Sequence, residues 1–470
     1  MLARRLLVFS YYFPPDPSIG GARWAAMSEW LRRAGHEVTV ITSRSNGSPD
    51  GVEPWVLRTF DVGAVGSVRR LLRRSHTPPS AVPATVHRPA PRWFTDVVVP
   101  DECLLTWVPA ALARARRLLC EREIDCVITS GPPHSTHLLG LLLGNRRPAW
   151  IADLRDGWRF EALHPSWPTS AQDRLDALLE RRTLRSAEAV VGVTPPIAED
   201  AGARLGVLSA HVPNGWDPAL DAELIGAARP TLDGNRVNVV YTGTLSGPRG
   251  RDPRPLFAAM RRLAAERPAV ASRLRVVLAG RLNTDEQRLL ARLDLGDTVE
   301  HVGSLSRVAA AALQRDADVL LLLSAPGHTS EATGKLFDYL AAGRPILALA
   351  QGNVAARTVR ETGTGVAVAA DDVDGIARAL QEAVDGTLAS AYAPRGLERY
   401  IYPGPAEEFA ELIERAITQR THEPHRPASS LTARLRVCPK TRQIASQRVW
   451  RADRGVFGRF LSTEVRNIYV

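Results

Sequence analysis

Apolar residues recur along this chain in short blocks of two alternating kinds. LLVFSYYF (6–13) is a nearly continuous apolar run that stops at Pro14, WAAMSEWLRRAG (24–35) repeats its apolar positions at helical spacing and is closed by Gly35, and HEVTVITSR (36–44) is apolar again. Strand, glycine-bearing loop, helix and strand is the unit that opens a doubly wound parallel sheet. The alternation continues with VPAALARARRLLCERE (108–123) as helix, DCVITSG (125–131) as buried strand, PPHSTHLLGLLLG (132–144) as loop and helix, and PAWIADLRDGW (148–158) as strand and loop. AQDRLDALLERRTLRSA, AVVGVT and PPIAEDAGARLG follow as helix, strand and helix, and Asn214-Gly215 marks a turn. A polar stretch with Gly and Pro, 221–235, interrupts the pattern, which then restarts with RVNVVYTGTLSG (236–247) and runs through DVLLLL (318–323) and PILALA (345–350). Two parallel α/β halves of this kind predict two Rossmann-like domains, 1–222 and 236–395, joined by a linker at 223–235 and facing each other across a cleft. An amphipathic helix at 396–420 and a basic, aperiodic tail at 421–470 complete the chain.

Composition narrows this picture. Apolar residues make up 45% and charged residues 23% of 470, as in a soluble globular protein of two or three domains. The net charge of +10 invites a nucleic-acid or membrane partner, but the arginines are scattered, and no zinc finger or long basic helix is present, so nucleic acid is not expected. Between 51 and 100 the periodicity loosens and SVRRLLRRSH (67–76) forms a basic patch, either a short helix lying on lipid or on a polyanionic acceptor, or a solvated loop. Four unevenly spaced cysteines (103, 120, 126, 438) without CxxC pairs speak against a disulfide scaffold or structural zinc and for a reducing compartment. The apolar N-terminal run is too short for a signal peptide and lacks a cleavage site, and nothing reaches the roughly 18 to 20 apolar residues of a membrane span. A cytoplasmic protein is expected, with contact at the inner face of the cell membrane.

The candidate chemistry centres on SAPGHTSEATGKLFDYLAAGRPILALA (324–350), which reads as loop, helix stopped at Gly343, and buried strand. Lys335 stands at the helix start, where a cation opposes the helix dipole and suits a helix that must hold an anion such as a nucleotide phosphate. It is one of only two lysines, with Lys440, in a chain that otherwise uses Arg. Glu331 and Asp338 flank it as carboxylates able to accept hydrogen bonds from a sugar or ribose. The loop after the first strand of the second half, TGTLSGPRGRDPRP, exposes backbone at Gly243, Thr244 and Gly247 and carries Arg249 and Arg251 to the same mouth. In the first half, Gly20 and Gly21 stand before a helix, where backbone can approach a ligand or simply make a tight turn, and they do not spell GxGxxG. His134 falls on the loop after a strand, whereas His137 lies inside the next helix and is read as structural. Asp153, Arg155 and Asp156 form either a site or an ion-pair network.

Seven segments in order, FSYYFPPDPSIGGAR, RRAGHEVTVITS, DCVITSGPPHSTHLLGLLL, WIADLRDGW, VVGVTPPIAEDAGARLG with VPNGWDP, YTGTLSGPRGRDPRPL and GKLFDYLAAGRPILAL, resemble the retaining GT-B fold glycosyltransferases of the family 4 type. The resemblance spans about residues 5 to 420. It implies an α/β GT-B fold, a nucleotide-sugar donor held by Arg251, Arg249 and Lys335, His134 near the transferred sugar, Gly20 and Gly21 beside the donor phosphates or the acceptor, and Leu336 and Asp338 at the nucleoside. The family's E-x7-E spacing is not met. Asp338 takes the place of the second acid and Glu331 stands one residue too close to be the first.

The implied reaction moves a sugar to an acceptor hydroxyl with retention, the leaving diphosphate taking the proton, without a protein nucleophile, a cofactor or an essential metal. Cell-envelope polysaccharide or glycoconjugate assembly on a lipid-linked saccharide is the expected setting, and a small-molecule acceptor in natural-product tailoring is the other. A GT-B sugar-nucleotide epimerase or a non-catalytic sugar-nucleotide-binding partner would share the phosphate clamp.

Overall fold

A computed structural model describes residues 2–16, 19–44, 53–62, 97–162, 166–245, 251–293, 295–325 and 327–422. The basic patch at 67–76, Gly247, Arg249 and the tail from 423 onward lie outside the described residues. Both expected domains are present, each a parallel sheet covered by helices on its two faces. The first sheet has seven strands, β1 (Arg5–Ser10), β2 (Glu37–Ser43), β3 (Val56–Thr59), β4 (Cys126–Gly131), β5 (Ala149–Leu154), β6 (Ala189–Gly192) and β7 (Ser209–His211), in the order β3-β2-β1-β4-β5-β6-β7. The second has six, β8 (Val237–Thr242), β9 (Leu274–Ala279), β10 (Val299–Gly303), β11 (Val319–Leu323), β12 (Ile346–Leu349) and β13 (Gly365–Val368), in the order β10-β9-β8-β11-β12-β13. Strands such as CVITSG, AWIADL and VLLLL are buried at every position, which is why the sequence shows unbroken apolar runs and not period-two alternation.

Two sequence expectations are corrected. The loosened stretch 51–100 contributes β3, an edge strand that pairs in parallel with β2 from Val40–Val56 to Ser43–Thr59. Its four residues are too few for a legible period. The first helix starts at Ile19 rather than Trp24, so Gly20 and Gly21 belong to its first turn and not to the preceding loop.

Helix boundaries follow local chemistry. Thr169, Ser306, Asn353 and Asp372 each cap a helix by accepting a backbone N–H three residues on. Gly343 ends the helix Gly334–Ala342 in the left-handed conformation (φ 70°), as the sequence predicts. The terminal helix, Gly404–His422, goes where no periodicity could direct it. It returns to the first domain and buries Phe409, Leu412, Ile413 and Ala416 against Trp24, Met27 and Leu31. Trp24 meets Phe409 edge-on at 5.2 Å. The crossover is tied to the end of the first domain by Trp216 N–H to Tyr400 O and Tyr402 N–H to Trp216 O, each 2.9 Å. The polar stretch 221–235 is held by Arg229–Asp316 at 2.5 Å and Arg315–Asp221 at 2.6 Å. No helix of the described residues is long and apolar enough to cross a membrane.

Because the returning helix completes the first domain's core, Phe409→Ala is expected to lower its stability by about 3–5 kcal/mol. A fall in the denaturant midpoint at unchanged m-value measures this, and a change below about 1 kcal/mol would refute the packing role of this helix.

Candidate active site

In a parallel sheet every strand ends on the same edge, and the loops that leave the two central strands in opposite directions open a crevice there. In the second domain those strands are β8 and β11. The loop after β8 carries Gly243, Thr244 and Arg251, and the chain after β11 leads through Glu331 to Lys335 on the first turn of Gly334–Ala342. Lys335 Nζ donates to the Tyr241 hydroxyl at 3.2 Å and lies 5.0 Å from the centre of its ring. Gly243 has a φ of 107°, and a Cβ there would sit 2.4 Å from Lys335 Cε, so glycine is required both by the backbone and by the lysine stem. Tyr339 holds the floor by accepting from Thr242 N–H at 3.1 Å. The predicted convergence of two separate loops is therefore what the fold produces.

Burial, followed by repulsion from Arg251, draws Lys335 down to about 7, against the pull of Glu331 and Asp338. Burial pushes the Asp338 carboxyl up to about 6, with Arg307 and Lys335 opposing. Two further groups here lack partners of their own among the described residues. Arg251 Nε is buried without a hydrogen bond, Thr333 Oγ1 likewise, and Thr333 as the N-cap residue gives the helix no side-chain cap. Two basic groups with no carboxylate partner among the described residues, beside an uncapped helix start, present positive charge that a dianion such as a diphosphate can neutralise.

The flanking acids behave differently from each other. Glu331 is buried and spent internally, its Oε2 accepting from Ser324 Oγ at 2.5 Å and Ala325 N–H at 2.7 Å. It holds the loop and is not presented to a sugar. Leu336 is fully buried in the second core, so the expectation that it meets the nucleoside cannot apply to its side chain. Asp338, half-buried one turn into the helix, keeps its place beside Lys335.

The first domain sets a second group at the ends of β1, β4 and β5. His134 precedes the helix Ser135–Leu142 and stacks on Trp158 at 5.1 Å with 11° between planes. Asp101 fixes that helix start, accepting from Ser135 N–H at 2.9 Å and Ser135 Oγ at 2.5 Å, and burial raises its carboxyl to about 6. His137 is structural as read. It is buried, hydrogen-bonded to Thr129 Oγ1 at 3.0 Å, and held neutral by a pKa that burial lowers to about 3.

Of the three charges at the end of β5 and in the loop beyond it, Asp153 belongs to the scaffold. It pairs with Arg23 at 3.0 Å, both buried, and accepts from Trp24 Nε1 and Ser130 Oγ at 2.8 Å each. Arg155 shapes the neighbouring loop. Its guanidinium donates to Pro132 O and to Gly131 O, bracing the loop that carries His134, and Asp156 stands half-buried beside it. A Cβ on Gly20 would lie 1.3 Å from Arg155 Nη1, while one on Gly21 would touch the Phe13 backbone at 3.3 Å. The close approach expected at Gly20 is thus filled by this arginine. Among the described residues no cluster of three His, Cys, Asp or Glu is placed to hold a metal ion.

Sequence and structure comparisons agree with this architecture. Residues 20–215 match the family model of a glycosyl transferase 4-like domain, and residues 236–385 match that of the glycosyl transferases group 1. No curated protein matches the chain. A sucrose-phosphate synthase from Thermosynechococcus elongatus is similar at 18% identity, over 88% of this chain and 99% of its own, with a TM-score of 0.59. The N-terminal domain of a trehalose-6-phosphate phosphatase from Candida albicans is similar at 12% identity, over 88% and 97%, with a TM-score of 0.56. A UDP-GlcNAc 2-epimerase from Neisseria meningitidis, solved with UDP-GlcNAc, is similar at 13% identity, over 87% and 99%, with a TM-score of 0.50. At these identities the likeness is one of fold.

The lowered Lys335 pKa has a measurable consequence. In the free protein Lys335 loses its proton near pH 7 instead of near its ordinary 10.5, so a bound dianion should restore the charge. At pH 8, binding of a nucleoside diphosphate is expected to take up protons, measured by calorimetry in buffers of different ionisation enthalpy. That uptake should fall away in Lys335→Ala, and equal uptake in both proteins would show that Lys335 does not meet the anion.

Proposed function

Because the chain belongs to the GT-B glycosyltransferases, a 4-like domain followed by a group 1 domain, we propose that its cleft transfers a sugar from a nucleotide diphosphate donor to an acceptor hydroxyl with retention at the anomeric carbon. The observation that carries this is the unpaired cation pair, Lys335 and Arg251, beside the uncapped start of Gly334–Ala342. Breaking the anomeric C–O bond places negative charge on the departing diphosphate, and fixed cations and backbone N–H groups at that point stabilise the charge as it develops. The acceptor attacks from the face the diphosphate leaves, and its proton goes to a phosphate oxygen, so the protein supplies no nucleophile. With two cations in place, the step needs no bound metal. Asp338 is assigned to a hydroxyl of the nucleoside ribose, and His134, held against Trp158, to the transferred sugar. Asp156 is assigned to the acceptor side of the cleft.

The acceptor we favour is a lipid-linked saccharide met at the inner face of the membrane, in envelope polysaccharide or glycoconjugate assembly. The net charge of +10 and the basic run at 67–76 support it. An epimerase would use the same clamp, but only the fold of the UDP-GlcNAc 2-epimerase speaks for it.

Thermal stabilisation by UDP, GDP, dTDP and CMP, repeated on Lys335→Ala, tests the donor site. A shift of roughly 2–8 °C with one diphosphate, absent in the variant, is expected. Incubation of the matching nucleotide-sugar with acceptors should then yield an α- or β-glycoside of unchanged anomeric configuration. A shift with none of the four would remove the donor clamp, and a C2-inverted nucleotide-sugar as product would replace transfer by epimerisation.

A further inference from the structure

Glu161 lies in the loop that follows β5, and its φ of 46° is the one left-handed conformation of a residue other than glycine among the described residues. Glutamate gains nothing locally from this region of backbone space, so the surrounding contacts must hold it there. Those contacts are made across the cleft. Glu161 Oε1 accepts from the Thr329 N–H and the Thr329 hydroxyl, each at 2.7 Å. Oε2 accepts from the Ser330 N–H at 2.9 Å and the Ser330 hydroxyl at 2.6 Å. Each carboxylate oxygen thus takes one amide and one hydroxyl proton from two consecutive residues of the other domain, a charge-assisted bidentate clasp. Burial by itself would raise the Glu161 pKa, yet the Ser330 and then the Thr329 hydrogen bonds outweigh it and hold the carboxyl below its usual range.

The segment it grasps is also stitched into the second domain. Thr329 O accepts from Val354 N–H at 3.0 Å and Glu331 O from Ala355 N–H at 3.1 Å, both at the start of the helix Val354–Glu361. Asn353, which caps that helix, donates to Ser324 Oγ at 2.6 Å, and Ser324 in turn donates to Glu331. Five residues beyond Ser330 stands Lys335. Thr329 and Ser330 are therefore joined to Lys335 through a short segment anchored at Thr329 O and Glu331 O.

We propose that Glu161 is a cleft latch, a positioning residue of the first domain whose carboxylate docks on Thr329 and Ser330, holds the domains closed, and sets the loop that leads into the Lys335 site. Its second half rests on the donor site proposed above; its first half does not. A solvated glutamate in chance contact would need neither the left-handed backbone nor all four donors.

Amide hydrogen exchange on the full-length protein, with no ligand present, tests the latch by itself. In Glu161→Ala the peptide holding Thr329 and Ser330 is expected to exchange on the order of tenfold faster than in the wild type, while β11 and the global unfolding midpoint stay unchanged. Glu161→Gln, which keeps one accepting oxygen, should fall between the two. Unchanged exchange in Glu161→Ala would overturn the latch. The second half is read from the dissociation constant of UDP, GDP or dTDP, whichever the wild type binds. Weakening on the order of tenfold in Glu161→Ala is expected, with part of it recovered in Glu161→Gln. Faster exchange with unaltered nucleotide affinity would overturn the link to Lys335. Faster exchange in a protein that binds no nucleotide would retire the donor site and keep the latch.

Discussion

Everything functional in this protein depends on the geometry of parallel sheets. Parallel strands must be joined by helical crossovers, so every strand finishes on one edge and every loop that could carry chemistry leaves from that edge. In the second domain the loops after β8 and β11 are the ones that diverge, and they bring Tyr241, Gly243, Arg251 and Lys335 into one crevice from positions up to 94 residues apart. In the first domain the same rule gathers Gly20, His134 and Arg155. The contacts that close each crevice, Gly243 with Lys335 and Gly20 with Arg155, join residues 92 and 135 positions apart.

The crevice of the second domain holds basic groups that burial and like charge disfavour, and this is informative. A half-buried ammonium beside a guanidinium at a helix N-terminus works against burial, like-charge repulsion and the helix dipole together. The depressed Lys335 pKa and the unsatisfied Arg251 Nε express that cost. A dianion would relieve all of these terms simultaneously, which is why the donor site is proposed here. The buried Arg23–Asp153 pair shows the contrasting case. There the carboxylate accepts from Arg23, Trp24 and Ser130, and the guanidinium also reaches Val212 O and Pro213 O. That cluster is satisfied and has nothing left to offer a ligand. Charge alone does not separate the two; the state of its hydrogen bonds does.

The interface between domains combines a permanent and a local component. The terminal helix crosses back and is buried in the first domain's core, so covalent continuity and apolar packing fix one side of the molecule. On the other side, a single carboxylate grips two backbone amides and two hydroxyls. Apolar contacts spread over a helix resist opening, whereas a clasp of four hydrogen bonds at one residue can be exchanged for water at small net cost. The returning helix and the Glu161 contact are thus built from interactions of opposite kind, spread apolar packing and four local hydrogen bonds.

The sequence by itself determined what depends on local periodicity and backbone preference. It determined the alternation of strand and helix, the two parallel sheets, the stop at Gly343 and the placing of Lys335 on a helix start. These are legible because burial on both faces of a parallel sheet leaves continuous apolar runs, and because only glycine suits a left-handed helix end. The pairing of Gly243 with Lys335 was inferable once two strand ends were assigned to one edge. Tertiary structure alone decided the rest. Whether Glu331 faces a ligand or a neighbouring serine, whether Asp153 is catalytic or structural, and where the last helix packs all depend on which partners the fold brings within about 3 Å, a distance that no spacing encodes. Glu161 is the clearest case. In sequence it is one acid in a polar loop, and its importance comes from two hydroxyls and two amides 168 and 169 residues away.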